Sequence, residues 1–488
     1  PLPRVFGDVP TPPLPEREGD TWRVSENAEG VAGSLLDAGA EGVVAGSLLD
    51  AWFAATTRLG LEVRLAEEEG LDRRAYQDRL EFEIRMVKQM GFSAYLLIVA
   101  EFINWAKDRG IAVGPGRGSV AGSLVAWAMR ITDVDSMRFG LLFERFLNPS
   151  RITMPDVDVD FSQVRREDVI VHMRERYGEA YMGQIANFGA FRPRSALKDA
   201  ARALRVAFEE SNCLTSWVSD DAKTVEEAFR EERLSARSAS DPVVRRMRIL
   251  ARKLCGDPPA GSPKDEKSDP LLRQRGVHAA GVVVTPLPLR TYAPVHHDAE
   301  SGRDVLGMDM DGVDTLGLVK FDFLGLKTLD VIEEALDTVE EQTGNRPDLT
   351  SVPLDDPDVL ALLGRGDTLA LFQVEGAGMR ALLRRLKPTS IEDLIAVLAL
   401  YRPGPIQSGM VDDYVERKHG RQEVSYPHPV LRDALEATYG TIVYQESCMR
   451  IAQDLSGFTL AEADLLRRAI GKKKADEMAA QKERFVEG

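Results

Sequence analysis

Met154-Pro-Asp-Val-Asp-Val-Asp-Phe161 puts three aspartates at alternate positions, with Val157 and Val159 between them. Alternation of this kind reads as a strand, here over Ile152 to Phe161. Side chains two apart on a strand share a face and lie about 6.5 to 7 Å apart. Asp156, Asp158 and Asp160 then form one acidic edge, and the valines pack behind it. Three carboxylates on one face repel unless cations neutralise them. Hard oxygen ligands at that spacing suit Mg2+. The plainer alternative is a solvated strand edge.

Working outward, Tyr76 to Lys107 has helical periodicity broken at Gly91. Leu96, Leu97, Val99, Ala100, Ile103 and Trp105 face a core at approximate helix spacing. Gly110 closes that helix, and Ile111 to Val113 reads as a short strand. Gly114-Pro-Gly-Arg-Gly-Ser-Val-Ala-Gly-Ser123 is a glycine-rich turn entering a helix over Leu124 to Met129. Its N–H groups suit an anion, although tight packing explains the glycines equally well. No GK[ST] follows, so it is not a Walker A loop. Arg145 stands eleven residues before Asp156. A guanidinium there would neutralise phosphate charge, or simply pair with a neighbour such as Glu144.

Downstream, Glu167 to Tyr177 is helical. Residues 196 to 256 form a charged helical stretch, and Gly256 to Asp269 reads as an exposed loop. His278 to Thr285 and Leu316 to Phe323 read as strands that return to the first core. Asp322 lies between two phenylalanines, so it needs a charge partner or metal, or caps the following helix. After Leu326 the chain is nearly all helical, with Arg402-Pro-Gly-Pro405 as a turn. Arg467, Arg468, Lys472, Lys473 and Lys474 put five basic residues within eight positions. Such a run suits phosphate binding or a solvated helix end. Arg380, Arg384, Arg385 and Lys387 form a second basic face.

The 488 residues suit roughly three domains. Apolar residues make up 44% and charged residues 29%, which is ordinary for a globular protein. Net charge is −16, which excludes a simple basic nucleic-acid coat but not an enzyme with a local basic channel. Three scattered cysteines and no CxxC pair argue against a disulfide framework or cysteine zinc site. A reducing, cytoplasmic setting is expected. His296 and His297 lack the partners of a histidine metal site. The apolar run Leu394 to Tyr401 is far short of a membrane span. The chain starts at Pro1 with no basic-then-apolar leader, so no export signal is expected. Residues 1 to 70 carry a proline-rich stretch and a near-repeat, Gly30 to Ala38 and Gly42 to Ala51; two copies are too few for a solenoid and read as a local duplication.

Together these parts point to phosphoryl transfer at paired metals. At this point the sequence closely resembles the catalytic alpha subunit of bacterial replicative DNA polymerase III, the C family of DNA polymerases. The carrying motifs are Gly114–Ser119, Leu141–Pro149, Met154–Phe161, Val277–Val282, Val319–Gly325, Tyr401–Pro405, Tyr444–Glu446 and Leu465–Lys474, over roughly residues 75 to 488.

The resemblance implies an α+β chain: a polymerase beta-like nucleotidyltransferase palm with a helical thumb and helical fingers. Its expected boundaries are an unmatched segment 1–70, palm 71–184, thumb 185–277, palm 278–330 and incomplete fingers 331–488. It implies Asp156, Asp158 and Asp322 as metal-binding catalytic residues for two Mg2+ ions, with Asp160 a neighbour and not a ligand. It assigns Gly118, Ser119, Arg145, Lys320, Arg467 and Arg468 to the nucleotide, and Lys472, Lys473 and Lys474 to DNA. Implied partners are primer–template DNA, dNTP, and the sliding clamp and clamp loader. The family's histidine-rich amino-terminal PHP domain, later helix-hairpin-helix region, clamp-binding motif and OB domain have no counterpart in these residues. The thumb motif Phe188-Gly-Ala-Phe-Arg-Pro-Arg-Ser195 also departs from the family's commoner form. Two other readings stay open: a non-catalytic DNA- or replisome-binding segment, and a template-free nucleotidyltransferase.

Overall fold

The computed structural model describes residues 17–18, 21–22, 45–67, 70–150, 154–258, 268–299, 302–349, 352–472 and 475–488. The chain is mixed α and β. The elements used below are α1 (Ala45–Glu67), α2 (Arg73–Met90), α3 (Ser93–Asp108), β1 (Asp158–Ser162), α4 (Arg166–Tyr177), β2 (Met182–Ala190), α5 (Pro193–Ala203), α6 (Pro242–Leu254), β3 (Leu272–Val284), β4 (Val295–Asp298), β5 (Arg303–Leu306), β6 (Val319–Leu326), α7 (Lys327–Thr343), α8 (Gln445–Ser456) and α9 (Leu460–Lys472). Two compact units divide the chain. Gly178–Lys320 belongs to one, and Arg4–Tyr177 with Phe321–Gly488 to the other.

In the larger unit, α2 starts where the Asp72 carboxylate accepts from the N–H groups of Arg74 and Ala75, satisfying two orphan donors of the first turn. It stops at Gly91, whose φ of 77° is open to glycine at little cost. The α3 helix is buried almost throughout. Arg109 ends it and Gly110, at φ 62°, follows in the left-handed region.

The centre of this unit is a parallel pair. β1 lies beside β6 with Asp158 opposite Asp322, Val159 opposite Phe323 and Phe161 opposite Gly325. Phe161, Phe321 and Phe323 point away from the aspartates and surround Phe102 of α3, with centroid distances of 4.9 to 6.2 Å. Ser162 Oγ bonds Asp330, whose carboxylate also accepts from the Gln163 N–H at 3.1 Å. The end of β1 is thus tied to the first turn of α7.

Glu83 on α2 is fully buried. It pairs with Arg79 at 2.6 Å and accepts from Ser123 Oγ and the Val125 N–H. Arg79 in turn donates to the carbonyls of Gly122 and Leu141. One charge pair therefore fixes the exit of the glycine-rich turn. Burial pushes the Glu83 carboxyl up, while Arg79 and the N–H donors oppose that shift.

The unit Gly178–Lys320 has strand order β3-β2-β5-β4. β2 runs antiparallel to β3 and parallel to β5, and β4 and β5 pair antiparallel. Ile185, Val283, Leu306 and Val313 fill its sheet core. A separate helical core uses Ala196, Leu197 and Ala200 of α5 with Val244, Met247 and Ala251 of α6.

Four local expectations change. Ile111 to Val113 is no strand; only Val113 bridges to Phe161. The strand expected from Ile152 begins at Asp158, with 151–153 outside the described residues. Arg402–Pro405 opens a short helix, Pro403–Gln407, because proline at its first position needs no N–H partner. The loop expected at 256–269 lies largely outside the described residues, and Asp257 at its start is buried, accepting from the Val225 N–H. Of the near-repeat, the second copy enters α1 at Ala45 and the first copy lies outside the described residues.

The α1 helix packs by a close approach. A Cβ at Gly60 would stand 2.1 Å from the Ala128 carbonyl oxygen, and Arg64 donates to the Trp127 carbonyl. No single helix among the described residues is long and apolar enough to cross a membrane.

Glu83→Ala leaves Arg79, the Ser123 hydroxyl and the Val125 N–H without their common partner. It should cost about 3 to 5 kcal/mol, read as a lower urea midpoint; a midpoint within error of the parent protein would contradict this role.

Candidate metal and nucleotide site

Neighbouring strands lie about 4.8 Å apart, and residues in register across them share a face. The pairing of Asp158 with Asp322 therefore brings two carboxylates together from positions 164 residues apart. Asp156 joins them from the segment just before β1. One oxygen from each of Asp156, Asp158 and Asp322 lies within 4.8 Å of the others. Asp156 is exposed and the other two are half-buried. This is the one such cluster of three metal-ligating side chains among the described residues. Its donors are all carboxylate oxygens, which fit a hard divalent cation.

Tyr95 of α3 holds Asp156 and Asp158 in place. Its hydroxyl accepts from the Val157 N–H at 3.1 Å, and its ring stacks on Phe321 at 5.4 Å. Burial, joined by the charges of Asp156, Asp322 and Asp158, pushes the Tyr95 phenol well above its ordinary range. It stays a neutral anchor.

Asp160 is not in the cluster. It shares the face of Asp158 on β1, and Arg117 of the glycine-rich turn reaches both, at 3.3 Å to Asp160 and 3.8 Å to Asp158. The turn itself packs closely. Gly114 donates to the Asp160 carbonyl at 2.8 Å, and a Cβ at Gly116 would strike Thr132 Oγ1. Gly118 has φ 68°, and a Cβ there would stand 3.9 Å from Asp158 Oδ2. The turn that carries Gly118 and Ser119 therefore runs beside the acidic cluster.

The remaining residues expected at the site lie as follows. Asp322 stands mid-strand, four residues before the residue that caps α7, so it is no helix cap. Lys320 is half-buried on β6, two residues before Asp322. Arg145 pairs with Glu446 of α8 and not with its neighbour Glu144. Arg467 on α9 is held by buried Asp464, at 2.6 and 2.8 Å, and by Gln445 at 2.9 Å. Arg468 is half-buried on the same helix. Lys472 ends α9, while Lys473 and Lys474 lie outside the described residues. His297 pairs with Asp304 at 3.3 Å. Sequence reasoning missed Tyr95, Arg117, Gln445 and Asp464 as parts of this arrangement. Arg117 had a signal as the one charge inside the glycine-rich turn, and Gln445 lay inside the motif Tyr444–Glu446.

Comparison with known proteins agrees with the pattern. The model described as "Bacterial DNA polymerase III alpha NTPase domain" matches residues 51–325. The model described as "Bacterial DNA polymerase III alpha subunit finger domain" matches residues 328–488. The chain belongs to the bacterial DNA polymerase III alpha subunit family. Among curated relatives, DNA polymerase III subunit alpha of Escherichia coli (strain K12) is 46% identical over 446 residues, covering 88% of this chain and 37% of the relative. That of Aquifex aeolicus (strain VF5) is 44% identical over 444 residues, covering 88% and 38%. That of Pseudomonas fluorescens is 44% identical over 462 residues, covering 91% and 38%. The chain spans a little over a third of the length of these alpha subunits. The family match begins at residue 51, inside α1, so it extends further toward the amino terminus than the motifs from residue 75 onward.

If the three carboxylates hold a cation, millimolar Mn2+ should raise the thermal unfolding temperature by roughly 2 °C or more. Asp322→Asn should abolish the rise. An equal rise in parent and variant would place the cation elsewhere.

Proposed function

We propose that this chain carries the catalytic part of a DNA-directed DNA polymerase, adding dNTP to a primer 3′-OH under template direction and releasing pyrophosphate. The observation that carries the reading is the convergence of Asp156, Asp158 and Asp322 within 4.8 Å, in a chain of the polymerase III alpha family.

We read 71–184 and 278–330 as a palm of the polymerase beta-like nucleotidyltransferase type, 185–277 as thumb and 331–488 as fingers. The three aspartates would hold two Mg2+ ions. When bound, these ions polarise the attacking hydroxyl and offset charge on the phosphates. Asp158 belongs to the nucleotide side, because Gly118 of the turn stands next to it. Asp156 and Asp322 would serve the side of the primer 3′-oxygen, and Asp156 would also share the nucleotide-bound ion with Asp158. Gly118 offers a backbone N–H and Ser119 a hydroxyl to the triphosphate. Arg145, Lys320, Arg467 and Arg468 supply positive charge along it. Lys472, Lys473 and Lys474 contact the DNA backbone, where each contact adds a salt-dependent increment. Contacts with sliding clamp and clamp loader, implied by the resemblance, are assigned to no residue here.

The second reading kept from the sequence is a segment that binds DNA or replisome subunits without turnover. Primer extension with Mg2+, set beside a salt titration of DNA binding, separates the two. Product should follow template sequence, and Asp158→Ala should cut incorporation by at least about a thousandfold with DNA affinity nearly unchanged. Binding without extension would favour the second reading, and product independent of template would favour a template-free transferase.

A further inference from the structure

We propose that Glu446 is a positioning residue for Arg145: it holds the guanidinium by one terminal N–H and leaves the Nε–H for an anion, the phosphate chain of the incoming nucleotide. This rests on the reading of Arg145 as a nucleotide-binding residue.

Arg145 and Glu446 are 301 residues apart in the chain. Their side chains are 24% and 16% exposed, so neither charge can be left alone at low cost. The pair uses Arg145 Nη1 only. Arg145 Nε is buried and has no acceptor, and a buried donor in that state is costly. In the structural pair Arg79–Glu83 the nitrogen not given to the carboxylate goes to the Gly122 and Leu141 carbonyls. Here one prong is engaged and an inner donor is kept back. An anionic acceptor would complete it.

Arg467 makes the contrast. Its Nε and Nη2 both reach Asp464, which is wholly buried, and its Nη1 reaches Gln445. Arg467 is therefore already fixed on three sides. Gln445 and Glu446 are the first two residues of α8, so one helix start holds both arginines. A carboxylate at that position is favoured by the helix dipole.

The segment that bears Arg145 is seated firmly enough for a single contact to aim it. Leu142 packs on the cluster of Met449, Ala452, Phe458 and Ala463. The Asn148 amide donates to the Ala461 carbonyl at 2.8 Å. With both ends of 142–148 docked on α8 and α9, what is left to set is the orientation of the guanidinium, and Glu446 sets it.

The test is binding of inorganic tripolyphosphate to the full chain, by titration calorimetry in metal-free buffer, with thermal unfolding measured alongside. The parent protein should bind, and Arg145→Ala should bind at least about tenfold more weakly. Glu446→Ala, which removes the acceptor, should weaken binding by about five- to tenfold. Glu446→Gln, which keeps an acceptor oxygen, should stay within about twofold of the parent, with both variants unfolding within roughly 2 °C of it. Equal or tighter binding by Glu446→Ala would overturn the proposal, since the carboxylate would then be a competitor. Equal loss in both variants, a loss that follows a fall in unfolding temperature, or no binding by the parent would also overturn it. Primer extension tests the polymerase reading separately: the expected binding pattern in a chain that never extends a primer would sink that reading and leave the anion site intact.

Discussion

A register constraint underlies the whole site. Asp158 and Asp322 meet because β1 and β6 run parallel with those residues opposite one another. A slip of one residue would turn every side chain of one strand to the wrong face. What forbids the slip is the other face, where Phe161, Phe321 and Phe323 close around Phe102. Turning those rings outward would forfeit roughly 1.5 to 3 kcal/mol apiece. Apolar packing thus holds carboxylates together that electrostatics alone would separate.

The charges around the cluster follow from the same problem. Arg117 neutralises the flank at Asp158 and Asp160. Tyr95, kept neutral by burial and by the carboxylates themselves, supplies an anchor that adds no further negative charge. Away from the aspartates, Arg145 and Arg467 are each already paired with a carboxylate. Their contribution to an anionic ligand lies in geometry more than in net attraction, because a paired guanidinium carries little free charge into solution. The overall charge of −16 is compatible with this local arrangement.

Much of this was legible in the sequence. Alternation in Met154–Phe161 pointed to an acidic edge, Gly91 marked a helix end, and the helical run after Leu326 stood out. The grouping of Asp322 with Asp156 and Asp158 was reached through family resemblance, because spacing along one strand groups Asp156, Asp158 and Asp160. Alternation has no knowledge of the partner strand, so it cannot substitute Asp322 for Asp160. Strand pairing is a long-range event, and so is Arg145 with Glu446. Tyr95 was hidden for a related reason: on a helix buried nearly all round, no periodicity sets one aromatic apart. The α1 helix was obscured by the near-repeat before it, yet Gly60 and Arg64 tie it closely to residues 127 and 128.

The most direct measurement is anomalous scattering from crystals of the chain soaked in Mn2+. Peaks bounded by the side chains of residues 156, 158 and 322 are the predicted result. Manganese bound at Asp160 and Asp158 without Asp322, or away from all three aspartates, would contradict the account.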